Sequence, residues 1–256
     1  MRTWMPGTRV AAALTLAVTA GPALAQPPAP ALPTGEAVLA KYVEATGGAA
    51  AYDAIRNRVT QARMEFVGAG VVIAITAYAA APGSVYTLAE SEATGRIESG
   101  VSDGVAWENS ALRGPLLKEG LERDDAVKAA IFDRLAHWKA HMKRAECTGG
   151  ADVNGRPAYR VVATPTLGTP ETLFFDVESG LLVRTEMTVA TAAGAVPLAA
   201  EPSDYRKVDG LLMAFSSRMK VMGQERVVTI EKVEHNVELP ADRFALPPEI
   251  RALIKK

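Results

Sequence analysis

Cysteine is nearly missing from this chain: Cys147 is the only one in 256 residues, which excludes an internal disulfide and any metal site built from several thiolates. Net charge is equally scarce. With 28 basic against 29 acidic residues, interspersed along the sequence, there is no basic field to draw in nucleic acid. Catalytic signatures are missing as well. No nucleophile elbow, no phosphate-cradling glycine loop and no Ser/His/Asp arrangement of recognisable spacing occurs, so an enzyme is not expected. Long apolar runs are limited to one, Val10 to Val18, which is too short to span a bilayer comfortably.

That single run has the flanks of a leader. Arg2 and Arg9 precede it, and Ala23-Leu24-Ala25 supplies small residues where a signal peptidase reads, so cleavage is expected before Gln26. Residues 1–25 are thus a signal peptide, 26–33 a Pro/Ala-rich extended tether, and 34–256 a single domain. No cysteine stands at the cleavage site to take a lipid anchor. The expected product is a soluble exported protein, located in the periplasm.

Thr34 is a candidate N-cap for a helix whose apolar residues Val38, Leu39, Tyr42 and Val43 share one stripe, and Gly47-Gly48 ends it. A second short helix is expected over Ala49 to Ile55. From Val59 the pattern changes to short strand-like runs separated by Gly or Pro. Val71 to Ile75 is apolar on both faces, which predicts cover on both sides of that strand. Asp103-Gly104 then turns the chain into a strand that carries Trp107.

The last third is an antiparallel meander. Glu178-Ser179-Gly180, Asp209-Gly210 and Met222-Gly223 separate period-two runs, and Asp-Gly between such runs is a strong hairpin signal. In Leu181 to Val189 the residues Val183, Thr185, Met187 and Val189 share a face. Met213, Phe215, Ser217, Met219 and Val221 do so in the run from Leu211. Unbranched Met and aromatic residues on these faces suit either an ordinary core or an adaptable ligand surface.

One helical segment interrupts the strands, from about Glu119 to Arg144. Val127, Ile131, Leu135, Trp138 and Met142 recur at helical spacing, with Asp124 and Lys128 among the residues off the stripe. A mobile lid and a permanently packed core helix both satisfy that pattern. His137 and His141 lie one turn apart, as in zinc hydrolases, but Trp138 stands where the glutamate base is needed. No metal site is expected. The basic group Lys139, His141, Lys143 and Arg144 fits the helix C-terminus, or transient contact with anionic head groups. His235, among charged neighbours, is expected to be exposed.

The whole meander, with Asp152-Val153-Asn154-Gly155-Arg156-Pro157-Ala158-Tyr159, Asp204-Tyr205-Arg206-Lys207-Val208-Asp209-Gly210 and Phe244-Ala245-Leu246-Pro247, resembles the outer-membrane lipoprotein-sorting (LolA/LolB-like) proteins. The opening Leu39 to Gly48 is similar to the start of their stand-alone members. The resemblance spans nearly all of the chain after the leader and rests on turn and packing signatures, not on chemical ones. It implies an α+β fold, mainly antiparallel β: a curved half-barrel of roughly ten strands, closed by the N-terminal helix and the mid-chain amphipathic helix. It also implies an apolar cup for an acyl chain or lipid-like ligand, with no catalytic residues and no cofactor. Phe66, Trp107, Trp138, Met187, Phe215 and Met219 are the expected cavity or lid residues, being large or pliable and on inferred inward faces. The partners then expected are a lipid or acylated ligand and membrane-bound donor or acceptor proteins, met by a monomer. A different class also fits: an envelope interaction or scaffold protein whose cup is filled by its own side chains.

Overall fold

The computed structural model of the protein describes Met1 and residues 31–191 and 194–254. The leader and most of the Pro/Ala tether lie outside the described residues. From Leu32 onward the chain forms one unit. It begins with α1 (Gly35–Ala45) and α2 (Ala49–Asp53), then β1 (Asn57–Phe66), β2 (Val71–Ala80), β3 (Ser84–Ser91), β4 (Gly95–Ser102), β5 (Val105–Ser110) and β6 (Gly114–Leu117). Next come α3 (Gly120–Ala130), α4 (Trp138–His141), β7 (Met142–Val153), β8 (Arg156–Pro165), β9 (Glu171–Asp176) and β10 (Leu182–Thr191). The chain closes with β11 (Gly194–Val208), β12 (Leu211–Val221), β13 (Gln224–His235) and α5 (Pro248–Ile254).

Among the described residues all the strands join one antiparallel sheet of thirteen, ordered β6-β5-β4-β3-β2-β1-β13-β12-β11-β10-β9-β8-β7, where the sequence suggests roughly ten. The two halves of the chain therefore meet at the β1–β13 pairing in the middle of the sheet, and β6 and β7 form its edges. Hairpin chemistry sets most of the order. Asp103-Gly104, Asn154-Gly155, Asp209-Gly210 and Met222-Gly223 all place both turn residues at positive φ, 47–54° at the first and 75–88° at the second, the geometry that matches the twist of paired strands.

The sheet is curved, and α3 measures the curvature. Between β4 and β10 there are seven steps along the sheet, which at about 4.8 Å each would separate them by about 34 Å if the sheet were flat. A helix of 11 residues is only about 16 Å long. Yet α3 touches both β4 and β10, so the sheet curls around it as a half-barrel.

Helices α1, α3 and α4 pack on one face of the sheet. Thr34 caps α1 by accepting a hydrogen bond from Ala37 N at 3.1 Å. Val38 and Leu39 of α1, Trp138 of α4, and Val161, Ala163, Leu173 and Phe175 of the sheet form the largest buried cluster. Further along the same face Tyr52, Ile55, Phe132 and Leu211 form a second cluster, and Val101, Ala106 and Ala130 a third.

Four expectations need correction. The helix expected over residues 119–144 ends at Ile131, where ψ is 119°, and Asp133 follows at φ 47°. Phe132 N donates to Pro82 O at 3.0 Å, and its ring enters the second cluster, so tertiary contacts override the helical period. Lys143 and Arg144 consequently sit in strand β7 rather than at a helix end. Val72, expected to be covered, is 44% exposed, because helical cover lies on the opposite face. Val183 departs from its predicted face: a bulge between Leu182 and Arg184 moves it to a small cluster with Val153, Ala158 and Phe174 on the reverse side. His235, expected to be exposed, has a side chain only 1% accessible. Arg58 Nε donates to its Nε2 at 2.9 Å, and an arginine can only donate, so the imidazole proton stays on Nδ1 and faces Asp209 at 3.0 Å.

Candidate ligand-binding site

Strand register carries the helical face across the centre of the sheet. Phe66, Arg226, Met219, Ala200, Thr185 and Leu173 stand opposite one another in turn on β1, β13, β12, β11, β10 and β9. Residues directly opposite in antiparallel strands project to the same side, and Leu173 belongs to the cluster beneath α1 and α4. A parallel row holds Met64, Val228, Ser217 and Pro202. Leu173 is sealed, at 1% exposure, whereas Phe66, Met219, Ala200, Met64 and Val228 are only half-buried. The half-barrel thus has a floor that its own helices leave partly uncovered, apolar or neutral except for Arg226.

The cover at the side of this floor is held by ions. On α3, Asp125 accepts hydrogen bonds from Thr169 N at 2.7 Å, Thr169 Oγ1 at 2.9 Å and Ala190 N at 3.3 Å. Lys128 lies 3.2 Å from Asp125 and donates to Thr169 O at 2.7 Å. Arg134, just beyond α3, grips Glu171 with both terminal nitrogens, at 2.5 and 3.0 Å. The Asp125 and Lys128 side chains are 9% and 5% accessible and that of Glu171 is 0%. Burial pushes the Asp125 carboxyl upward, but the Thr169 and Ala190 hydrogen bonds and the Lys128 charge outweigh it and hold the group below its usual range. Arg58 adds a further tie, reaching Asp133 at 2.9 Å and stacking 5.1 Å over Phe132. A cavity of about 210 Å³ lies under this latch, bordered by Asp125, Lys128, Arg134, Glu171, Met187 and Val189.

This architecture has solved counterparts. A DUF1329 family protein from Desulfovibrio piger superposes with a TM-score of 0.57 at 14% identity, covering 82% of this chain and 97% of its own. An outer membrane lipoprotein-sorting protein domain from Vibrio parahaemolyticus gives 0.54 at 12%, over 87% and 98%. A LolA superfamily protein from Nitrosomonas europaea gives 0.58 at 11%, over 84% and 99%. The chain has the LolA-like fold. At such identities the likeness speaks for the fold alone. No family model and no curated protein matches the sequence.

On this LolA-like sheet the expected site residues fall in three places. Phe66, Met187 and Met219 lie on the helical face, Phe66 and Met219 in the central row and Met187 opposite Leu198 and Glu171. Phe215, on the same strand as Met219, is 7% exposed and carries the Arg206 guanidinium 4.7 Å from its ring centre. Trp138 is 8% exposed within the cluster under α1, and it edges a surface groove of about 590 Å³ shared with Val43 and Ala49. Trp107 lies on the reverse face: its partner row runs through Gly100, Tyr86 and Tyr78, and Arg243 stacks on both tyrosines, at 4.3 and 5.5 Å. Its neighbour Ala106 is the residue that meets α3. Strands β8 to β12 and the turn after β12 also border an open groove of about 570 Å³, with Val162, Thr172, Ala199 and Met222 on its wall.

The charged residues of the floor and latch are the ones sequence reading passed over. Each nevertheless left a trace. Glu171 has the same parity as Leu173 and Phe175, and Arg226 the same as Val228 and Ile230, so both are charges placed on the apolar side of an alternating strand. His137 and His141 flank and end the short helix α4.

Proposed function

We propose that this chain is a periplasmic carrier that holds a lipid or acylated ligand against the helical face of the half-barrel and performs no chemistry on it. The observation that carries the reading is the half-buried floor of Phe66, Met64, Met219, Ala200 and Val228, an apolar surface inside a curve that the helices cover only at its sides. Burying apolar area stabilises by about 25 cal/mol per Å², or about 0.8 kcal/mol per methylene, so a chain laid along this floor needs few polar contacts to be retained. Methionines suit a ligand of variable shape, since an unbranched side chain adjusts at little cost. Release then requires a competing membrane or an acceptor protein.

Export is supported by Arg2, Arg9, the run Val10 to Val18 and Ala23-Leu24-Ala25, and no helix among the described residues is long and apolar enough to cross a membrane. Of the six residues singled out in the sequence, the carrier reading rests on Phe66, Met187 and Met219 as floor residues. Phe215 is placed beside them, and Trp138 beneath the cover. Trp107 is assigned to the packing of the reverse face.

Native mass spectrometry of the protein from Gln26 onward, purified from periplasm without detergent and followed by solvent extraction, tests the reading. The expected result is a discrete adduct that extracts as lipid and is lost in Met219→Asp. A clean apo mass that persists after incubation with phospholipid vesicles would replace it with the scaffold reading, in which the face is filled from within.

A further inference from the structure

We propose that Arg226 is the headgroup site of this face: it receives the oxyanion of an anionic amphiphile, carboxylate or phosphate, whose acyl chain lies along Phe66 and Met219. The inference rests on the carrier reading above and deepens it. Arg226 projects from β13 between Phe66 and Met219, its opposite neighbours on the two flanking strands. Its guanidinium carbon lies 4.6 Å from the centre of the Phe66 ring. The ε-nitrogen is sealed from solvent and has no hydrogen-bond partner, and no carboxylate among the described residues is within ion-pair distance. The residue as a whole is only half-buried, so the terminal nitrogens are the part that stays within reach.

The neighbouring acids explain why this charge is alone. Glu225 binds Arg218 and Glu231 binds Arg63, and Glu65 alternates to the opposite side of β1 from Phe66. On the helical face the groups around Arg226 are Val71 and Ile73 on β2, Met64 and Phe66 on β1, Ser217 and Met219 on β12, and Ala200 on β11, none of them charged. The other arginines of this face have partners: Arg58 has Asp133, and Arg134 has Glu171. A partly desolvated guanidinium without an acceptor is costly to keep, and stacking on one phenyl ring recovers only part of that cost. An oxyanion would accept the vacant N–H groups, with two parallel hydrogen bonds where the geometry allows. The apolar surroundings select one that arrives attached to a hydrocarbon chain.

Dissociation constants of oleate, mono-oleyl phosphate and oleyl alcohol, measured on the delipidated protein at low salt and mildly alkaline pH, test this with Arg226→Met as the variant. Wild type should prefer both anions over the alcohol by roughly tenfold or more. Arg226→Met should bind the alcohol as before and the anions no better than the alcohol, with a melting temperature equal to or above that of wild type. No preference in wild type, or a preference that survives in Arg226→Met, would overturn the headgroup assignment while leaving the carrier reading standing. Failure of wild type to bind any of the three would overturn the carrier reading and this inference together. Displacement of oleate by millimolar inorganic phosphate would reassign Arg226 to a free oxyanion, and a lowered melting temperature in Arg226→Met would make it a structural residue.

Discussion

Glu171 shows how much a single buried group decides here. Its side chain is fully inaccessible, and Arg134 donates one hydrogen bond to each of its carboxylate oxygens. Removing one member of such a pair leaves an uncompensated buried charge, so Arg134→Met is expected to cost about 3–5 kcal/mol, read as a lower urea midpoint at unchanged m-value. Acid should weaken the same latch. Because the folded state holds Asp125 below its usual range, the stability this group contributes is present above the ordinary carboxyl value of about 4 and is lost as pH falls through the depressed one. Asp125→Asn should therefore unfold at lower urea than wild type at neutral pH, with the gap narrowing below about pH 4. His235 adds a step in the same direction at higher pH. Burial and the Arg58 charge lower its affinity for a proton, against the pull of Asp209, so its neutral form favours folding above about pH 6.5 and that advantage fades below it. A pH series of Asp125→Asn and wild type separates the two steps: the histidine step should be common to both. None of these groups announced its partner in the sequence. Parity could mark Glu171 as misplaced on its strand, but that Arg134 would reach it from 37 residues away is a consequence of where the broken helix ends.

Elements were legible where local chemistry alone determines them. The Thr34 cap, the stripe of Val38 and Leu39, and the turn at Asp209-Gly210 all follow from hydrogen bonding or φ preferences within a few residues, and each lies where the sequence suggests. The mid-chain helix was illegible for the opposite reason. Ile131, Leu135 and Trp138 keep helical spacing, yet Phe132 and Asp133 gain more from the sheet, through Pro82 and Arg58, than from continuing the helix. Strand β7 begins at Met142, inside the apparent helical period, and so could not be seen either. Docking of α1 offers a test with a sign reversed from ordinary propensity. Alanine is normally better than glycine in a helix by roughly 1 kcal/mol. A Cβ at Gly35, however, would lie 2.7 Å from Glu146 N and closer still to the Ala145 carbonyl, so the helix must move off β7 to admit it. Gly35→Ala is expected to destabilise by about 1–3 kcal/mol, seen as a lower melting temperature, and to loosen the cluster of Val38, Leu39, Phe175 and Trp138. A rise in melting temperature would show that α1 docks without that close approach.

At the scale of the whole molecule, the open curved sheet divides labour between its faces. On the reverse face Arg243 stacks over Tyr78 and Tyr86, and Val162, Thr172 and Ala199 border the open groove of about 570 Å³. The helical face is tied at its sides by Asp125, Lys128, Arg134 and Arg58, but its central floor is left half-covered. That arrangement predicts a specific thermodynamic response. A ligand that binds only the folded state stabilises it by RT ln(1 + [L]/Kd), about 2.7 kcal/mol when free ligand is a hundred times Kd. For a domain of this size 1 kcal/mol moves the melting temperature by about 2–4 °C, so saturating oleate should raise the melting temperature of the delipidated protein by about 5–11 °C. The carrier reading assigns the shift to the floor. Met64→Asp, which puts a charge opposite Val228 and Ile73 on the predicted path of the chain, should abolish the response to ligand, whereas Leu112→Asp, at a residue 91% exposed on the loop between β5 and β6, should leave it intact. If Met64→Asp responds as fully as wild type, the ligand lies elsewhere, and the 570 Å³ groove beside Val162 and Met222 becomes the place to look. Repeating the measurement with Ala199→Trp, which would fill that groove from its wall, then decides between the two faces: a shift preserved in Ala199→Trp and lost in Met64→Asp places the ligand inside the curve.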